Sequence, residues 1–218
     1  MSEVTIYGAP ASNFVRSVRI ACREKGVPYV LEIEGHNSLE ALSSPEHLAL
    51  HPFARIPAFR HGDRLIYETA GIIRYVDEAF DGPALQPDDV YERAVMTQWM
   101  SAALDYINAC FIRGLVLQYV FPRGENGEPD RSVIDVEAER AKRYAQILDD
   151  RLAESEFLAG GRLSLADIMV MPMLINAWNR APEAKAALEP HENLGRLYQA
   201  LVSRPSFTET APELQTAA

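Results

Sequence analysis

Segments that favour β-strands lie only in the first eighty residues of the chain, and every later periodic segment has helical spacing. Residues 4–7 and 29–33 are short β-prone runs, and two more flank His61-Gly62-Asp63 as a predicted hairpin. Helices are expected over residues 13–25 and 68–80, where apolar residues recur three or four positions apart. The order β-α-β, loop, β-β, α predicts a small mixed sheet with helices packed on it.

A change of composition separates this part of the chain from the rest. Residues 81–89 contain two prolines, one glycine and three acids, which is typical of a linker. Beyond them no strand signal follows, and Ser164-Leu165-Ala166-Asp167 has the pattern of a helix capping box. We therefore predict a sheet-containing domain at residues 1–80, a linker at 81–89 and an all-helical domain at 90–218.

Composition argues against several classes of function. The formal net charge of -10 opposes binding to nucleic-acid backbones and to anionic membranes. No uninterrupted apolar run approaches the roughly 20 residues that span a bilayer, and the first residues do not resemble a secretory signal. Two cysteines do not suggest a disulfide framework, so we expect a reducing, cytoplasmic location. The five histidines lack metal-ligand spacing, so no metal is expected.

Four segments carry a family resemblance. They are residues 7–12 (Tyr-Gly-Ala-Pro-Ala-Ser), 51–59 (His-Pro-Phe-Ala-Arg-Ile-Pro-Ala-Phe), 67–73 (Tyr-Glu-Thr-Ala-Gly-Ile-Ile) and the capping box at 164–167. In this order they resemble the cytosolic glutathione transferases, most closely the serine-type, phi-like and bacterial members. The resemblance implies an α/β thioredoxin-like N-terminal domain plus an all-α C-terminal domain. It also implies glutathione as co-substrate, a cytoplasmic homodimer and a role in detoxification.

Ser12 is the candidate catalytic residue that the resemblance indicates. The reaction needs glutathione as a thiolate, and a free thiol has a pKa of about 8.5. A hydroxyl at the start of the first helix can donate to the sulfur, and such a bond is worth about 1.5–3 kcal/mol. From position alone, Ser12 could equally serve as an ordinary helix cap. Tyr7 is the competing hydroxyl, since other classes of the family use a tyrosine there; we interpret Tyr7 as a packing residue.

The resemblance assigns further glutathione contacts. Ile56-Pro57 is expected to be a cis peptide, although about 5–6% of such bonds are cis in general, and the Ile56 backbone would pair with the cysteinyl residue. Glu68 and Thr69 open a helix whose N–H groups can bind the γ-glutamyl carboxylate, with Glu68 facing the ammonium group. A plain helix cap is a compatible alternative for these two residues.

The glycine end of glutathione is where the chain departs from the family. Phi-like members have a His-Lys pair where Leu42 and Ser43 stand here, and neither residue is a cation. Arg55 occupies a position that the family usually gives to Gln, and it could bind the carboxylate with a charged contact. It could equally be a surface residue.

The resemblance also indicates a dimer contact and an electrophile site. Phe53 matches an aromatic residue that inserts into the partner's helical domain, with core packing as the alternative. The electrophile would lie between the domains, lined by Pro10, Phe111, Leu115 and Tyr119. Helical spacing makes ordinary core packing an equal alternative for the last three.

The predicted activity is transfer of the glutathione thiolate to a hydrophobic electrophile. One alternative is a glutathione-dependent isomerase of maleylacetoacetate type, since residues 18–21 (Val-Arg-Ile-Ala) are similar to that class. That class has Ser-Ser-Cys where Ser12-Asn13-Phe14 stands here, which argues against it. The other alternative is a non-catalytic ligand-binding or assembly protein on the same fold, which the missing His-Lys pair favours.

Overall fold

The computed structural model describes residues 3–212 of the 218-residue chain. Within these residues the chain forms two compact units. One contains residues 3–84 together with 204–212, and the other contains residues 85–203. The predicted helical domain at residues 90–218 would include residues 204–212, which the structure groups with the first unit, whereas residues 213–218 of that prediction lie outside the described residues.

The first unit is built around one four-stranded sheet. Its strand order is β2-β1-β3-β4, with β1 and β2 parallel and the other two pairs antiparallel. The elements are β1 (Val4–Tyr7), α1 (Asn13–Glu24), β2 (Val30–Glu32), α2 (Leu39–Leu42), α3 (Pro45–Leu48), β3 (Ala58–His61), β4 (Arg64–Tyr67) and α4 (Thr69–Ala79). The predicted thioredoxin-like order of strands and helices is confirmed.

Alternation and capping explain why these elements form. In β1, Val4 and Ile6 are buried while Thr5 and Tyr7 are half-buried, as expected for a strand with one covered face. The stretch before β3, predicted as a loop, contains the single-turn helices α2 and α3. Ser38 and Ser44 cap these turns by accepting from the backbone three residues on.

The C-terminal segment packs on α1 of the first unit. Helix α11 (Pro205–Thr208) follows Arg204, whose guanidinium makes two 2.6 Å hydrogen bonds to the Glu24 carboxylate. The Ser206 hydroxyl also donates to Glu24, and Arg16 donates to the Phe207 carbonyl at 3.1 Å. These contacts explain why the helical domain ends before residue 204.

Among its described residues, the second unit contains helices joined by loops and no strand. Its elements are α5 (Val90–Ala102), a π-helical stretch (Ala103–Val116), α6 (Leu117–Val120), a 3₁₀ turn (Glu125–Gly127), α7 (Arg131–Glu154), α8 (Leu165–Arg180), α9 (Pro182–Leu188) and α10 (Glu192–Val202). The predicted capping box begins α8, with the Ser164 N–H donating to Asp167 at 2.8 Å. The all-α character of this region is confirmed.

One helical stretch, residues 90–120, is long and apolar enough by length and composition to cross a membrane. However, 56% of its most apolar window is buried inside the chain. This burial is typical of a core helix in a globular protein, and we interpret the stretch as such.

Candidate active site

One row of the sheet places the predicted glutathione contacts at a single edge. Tyr7, at the end of β1, pairs with Glu32 on one side and with Ala58 on the other. Ala58 in turn pairs with Tyr67, the last residue of β4. The segment leading to Ser12, the turn before β3 and the start of α4 therefore all leave the sheet at this edge.

Ser12 is the N-cap of α1 and is half-buried. Its side-chain oxygen accepts from the Val15 N–H at 3.4 Å, at the long limit for a hydrogen bond. In this contact the hydroxyl acts only as an acceptor, so its own proton is available to another acceptor. The capping role and the predicted role toward sulfur are therefore compatible.

Tyr7 is held by contacts on its own side of the sheet. Its hydroxyl accepts from Nε of Arg60 at 3.2 Å, and its ring packs edge-on against His36 with centroids 5.2 Å apart. The packing interpretation of Tyr7 agrees with these contacts.

The loop after β1 touches the turn before β3. A Cβ added at Gly8 would lie 2.6 Å from a methyl of Val15 and 3.0 Å from Cβ of Ile56, and Gly8 has φ of +148°. Only glycine allows so close an approach at this backbone geometry. The Ile56-Pro57 bond is cis, as the resemblance implied.

The start of α4 has an unusual backbone. Glu68, the N-cap, has φ 70° and ψ 116°, a region that non-glycine residues rarely adopt. Thr69, the first helical residue, is buried. Strained backbone of this kind is concentrated at functional sites, where the surrounding structure holds it.

The three residues considered for the glycine end of glutathione differ in polarity and charge. Leu42 ends α2, and Ser43 is exposed, with its hydroxyl donating to the Leu39 carbonyl at 3.0 Å. The Arg55 side chain is exposed and donates to the Ala54 carbonyl at 3.1 Å. Of the three residues, only Arg55 brings a positive charge to this edge of the sheet.

Two histidines that the sequence reasoning set aside belong to this site. The His47 ring is fully buried, and its Nε2 lies 2.8 Å from the carbonyl oxygen of Arg55. Its Nδ1 lies 2.8 Å from Nδ1 of His36. Their sequence positions show no metal-ligand spacing, because their partners are a carbonyl and each other. The capping pattern Ser44-Pro45, which starts the short helix carrying His47, was the available signal.

Neither cysteine is poised for thiol chemistry. Burial raises the pKa of both thiols, Cys22 and Cys110, to about 12. Both remain protonated at neutral pH, so neither supplies a thiolate.

Comparison with known families identifies the chain's relatives. A family model described as the glutathione S-transferase N-terminal domain matches residues 6–84, and one described as the C-terminal domain matches residues 100–205. The chain belongs to the glutathione S-transferase family. The predicted family, phi-like, and the predicted transferase class and fold class are confirmed.

Known glutathione S-transferases match along nearly the whole chain. Glutathione S-transferase 4 from Zea mays is 28% identical over 208 residues, covering 95% of this chain and 92% of its own length. The crystal structure of glutathione transferase F2 from Populus trichocarpa is 28% identical with a TM-score of 0.81, covering 95% of this chain and 96% of that one. A theta class enzyme from Xanthomonas axonopodis pv. citri, crystallised with glutathione bound, is 26% identical with a TM-score of 0.80 and covers 100% and 99%.

The residues predicted for the electrophile site have mixed surroundings in this transferase. Pro10 is half-buried, whereas Phe111 and Leu115 are fully buried. A side chain with no exposed surface cannot line a binding site in this conformation, so core packing accounts for these two residues. The Tyr119 hydroxyl donates to Glu183 at 2.6 Å, and burial, followed by this bond, raises the pKa of Tyr119.

Phe53 lies on the surface rather than in the core. This residue is 66% exposed, and its ring makes edge-on contacts with His51 and Tyr67. The core-packing alternative is therefore wrong for Phe53, and the predicted dimer contact stays a prediction.

Proposed function

We propose that this transferase adds the glutathione thiolate to a hydrophobic electrophile and that the Ser12 hydroxyl donates to the sulfur. The observation that carries the proposal is the state of Ser12. Its oxygen makes one long hydrogen bond to Val15, and its proton stays available at the edge of the sheet where the other candidate contacts lie.

The energy that such a hydroxyl supplies matches what the chemistry needs. Lowering the thiol pKa by one unit requires about 1.4 kcal/mol of preference for the thiolate. A hydrogen bond to a charged acceptor supplies about 1.5–3 kcal/mol, and a helix N-terminus adds about 0.3–1 kcal/mol. Ser12 at the start of α1 combines both effects. Together they account for a depression of one to two units without a general base.

The backbone and the start of α4 would hold the rest of glutathione. The Ile56 N–H and C=O would pair with the cysteinyl residue as an added strand. The N–H groups at Glu68-Thr69 would bind the γ-glutamyl carboxylate, and the strained φ of Glu68 supports a functional role there. Arg55 would take the glycine carboxylate in place of the absent His-Lys pair.

The wider setting follows the family expectation. We propose a cytoplasmic homodimer that acts in detoxification, with Phe53 inserting into the partner subunit. The 66% exposure of this large aromatic ring supports the dimer contact, because an isolated exposed Phe on a loop gains nothing for folding.

The deciding experiment is titration of the thiol of bound glutathione by its thiolate absorbance in the ultraviolet. We expect Ser12→Ala to raise that pKa by about one to two units and to reduce kcat/KM with a chlorodinitrobenzene probe about 10- to 100-fold. Tyr7→Phe should leave both nearly unchanged. If Tyr7→Phe gives the loss and Ser12→Ala does not, the sulfur is held by the tyrosine. Binding with no turnover in the wild type would instead favour the ligand-binding alternative.

A further inference from the structure

Two hydrogen bonds connect three polar groups of the first unit in series: the His36 ring, the His47 ring and the carbonyl of the Arg55-Ile56 peptide. A carbonyl oxygen can only accept, so His47 donates its Nε2–H to Arg55 across the 2.8 Å contact. In the neutral ring the other nitrogen, Nδ1, is then an acceptor. His36 therefore donates its Nδ1–H to His47 across the second 2.8 Å contact. The hydrogen-bond network assigns both tautomers.

The last acceptor in this series of hydrogen bonds, the Arg55 carbonyl, belongs to the peptide group whose N–H is a candidate donor to the substrate. The Arg55 carbonyl and the Ile56 N–H belong to one planar peptide group, and the carbonyl and the N–H of a trans peptide point in opposite directions. Only Ile56-Pro57 is cis among the described residues, so the Arg55-Ile56 bond is trans. Within the same residues, the Ile56 N–H makes no backbone hydrogen bond. His47 thus holds one side of a peptide whose other side is free to donate.

We propose that His47, oriented by His36, is a positioning residue for glutathione that acts through the Arg55-Ile56 peptide. It fixes the direction of the Ile56 N–H and strengthens it as a donor, since a carbonyl that accepts a hydrogen bond polarises the N–H of its own amide. The inference rests on the proposed function in one respect: the Ile56 N–H is taken to bind the cysteinyl carbonyl of glutathione.

The local sequence holds His47 rigidly in this role. The Ser44 hydroxyl caps α3 by accepting from the His47 N–H at 3.1 Å, and Pro45 occupies the first helical position. The buried His47 ring lies between two other rings, with centroids 5.0 Å from His36 and 6.4 Å from a nearly parallel His51. A buried side chain with its backbone and both ring nitrogens engaged has little freedom to turn.

Burial keeps the neighbouring rings, His36 and His51, neutral near pH 7. Burial, followed by the neighbouring His47, lowers the pKa of His36 against the opposing effect of Glu32. Burial likewise lowers the pKa of His51, against the opposing effect of Glu68. Neutral rings preserve the donor and acceptor arrangement described above.

The test compares two substitutions of His47 that differ in one hydrogen bond. His47→Gln retains an N–H donor for the Arg55 carbonyl, whereas His47→Leu fills similar volume and has none. Binding of an S-methyl glutathione is measured by calorimetry, because this S-alkyl ligand has no ionisable sulfur and its affinity does not depend on stabilisation of a thiolate. We expect His47→Leu to weaken binding about 5- to 30-fold and His47→Gln to recover most of that loss. In turnover, KM for glutathione should rise while kcat at saturation changes less than about twofold.

A matched control comes from the opposite end of the same strands. Nδ1 of His61 also makes a hydrogen bond with the Tyr75 hydroxyl, at 2.9 Å, but His61 ends β3 away from the site. His61→Leu should leave the affinity for the S-alkyl glutathione unchanged. The amide proton resonance of Ile56 gives a direct reading, and we expect it to move upfield in His47→Leu only.

Specific outcomes would overturn the inference. One is an unchanged affinity for the S-alkyl glutathione in a folded His47→Leu protein. Another is an equal loss of affinity in the Leu and Gln variants, because the loss would then not depend on the N–H donor. If His47→Leu does not fold, His36→Phe tests the same series of hydrogen bonds one step back, with an expected loss of about two- to fivefold, and no loss would refute it. Failure of the wild type to bind the S-alkyl glutathione would refute the proposed function itself.

Discussion

Asp167 offers a test of whether burial or hydrogen bonding governs a carboxylate inside this fold. It lies fully buried in the capping box of α8. One of its oxygens accepts from the Leu158 N–H at 2.9 Å, and the other accepts from the N–H and the hydroxyl of Ser164 at 2.8 and 2.7 Å. Burial raises the pKa of Asp167 from 3.8 to about 6, although these bonds act in the opposite direction.

Two effects compete when Asp167 is replaced by asparagine. A shift from 3.8 to about 6 makes ionisation about 3 kcal/mol less favourable in the folded protein than in the unfolded chain, and asparagine avoids that cost. Its amide nitrogen cannot accept the two bonds from Ser164, whose loss costs about 3–6 kcal/mol. The lost bonds prevail, and we expect Asp167→Asn to destabilise the protein by about 0–3 kcal/mol at pH 7.5.

The pH dependence gives the sharper result. Because the folded-state pKa is the higher one, the folded wild type takes up a proton first as the pH falls through 6. It gains about 0.8 kcal/mol of stability between pH 7.5 and 5.5, and Asp167→Asn gains none from this position. The deficit of the variant should therefore grow on acidification, contrary to the usual behaviour of a hydrogen-bonded carboxylate.

The assay is urea unfolding of wild type and variant at the two pH values, followed by circular dichroism. All other titrating groups are common to both proteins and cancel in the difference. Ser164→Ala is the control: it removes one donor and keeps the carboxylate, so its deficit should shrink at pH 5.5. A deficit of Asp167→Asn that shrinks on acidification would show that hydrogen bonding, and not burial, sets this pKa.

Two further substitutions test the contacts that hold α1. Lys25 and Asp77 form a buried ion pair at 3.1 Å, so Lys25→Met should destabilise the protein by about 3–5 kcal/mol in urea unfolding, because the charge of Asp77 stays buried. The double variant Lys25→Met, Asp77→Leu should recover most of the lost stability. A double variant as unstable as Lys25→Met alone would contradict the prediction. Glu24→Gln replaces the carboxylate that Arg204 binds and should cost about 1–3 kcal/mol above pH 5. Hydrogen bonds from Arg204 and the neighbouring serine outweigh burial and lower the pKa of Glu24, so this deficit should disappear as the pH falls through the lowered pKa; a deficit that persists in acid would exclude the ion pair as its cause.

The parts of the fold that could be predicted are those whose cause is local. Period-two alternation marks β1, the Gly62 turn marks the hairpin, and Ser12 marks the start of α1, because each signal acts within a few residues. Helix α2 escaped prediction for the converse reason. It is a single turn without a buried face, and Leu39 is 81% exposed. Its sequence therefore has no helical spacing of apolar residues from which a helix could be predicted.

Contacts between distant segments could not be predicted in the same way. The packing of residues 204–210 on α1 depends on Arg16 and Arg19 donating to backbone carbonyls, and any residue could supply those acceptors. The pairing of His36 with His47 has the same character. Neither ring nitrogen is distinguished in the sequence, and it is the folded chain, with His47 on the turn capped by Ser44, that brings Nδ1 of His47 to 2.8 Å from Nδ1 of His36.

Arg55 takes part in two proposed features of the site, the positioning of the Ile56 peptide and the binding of the glycine carboxylate. Its carbonyl takes the hydrogen bond from His47, and its exposed guanidinium is the cation proposed for the glycine carboxylate. Both depend on the backbone turn at Ala54, which has φ of 51°, a left-handed conformation that directs the chain into Arg55. A substitution such as Arg55→Ala removes the cation and keeps the carbonyl. It should weaken glutathione about 10-fold through its carboxylate, the typical loss of one charged contact. It should leave the Ile56 amide resonance where it is. If that resonance moves as far as it does in His47→Leu, the side chain and the peptide are not independent, and the separate roles assigned to them fail together.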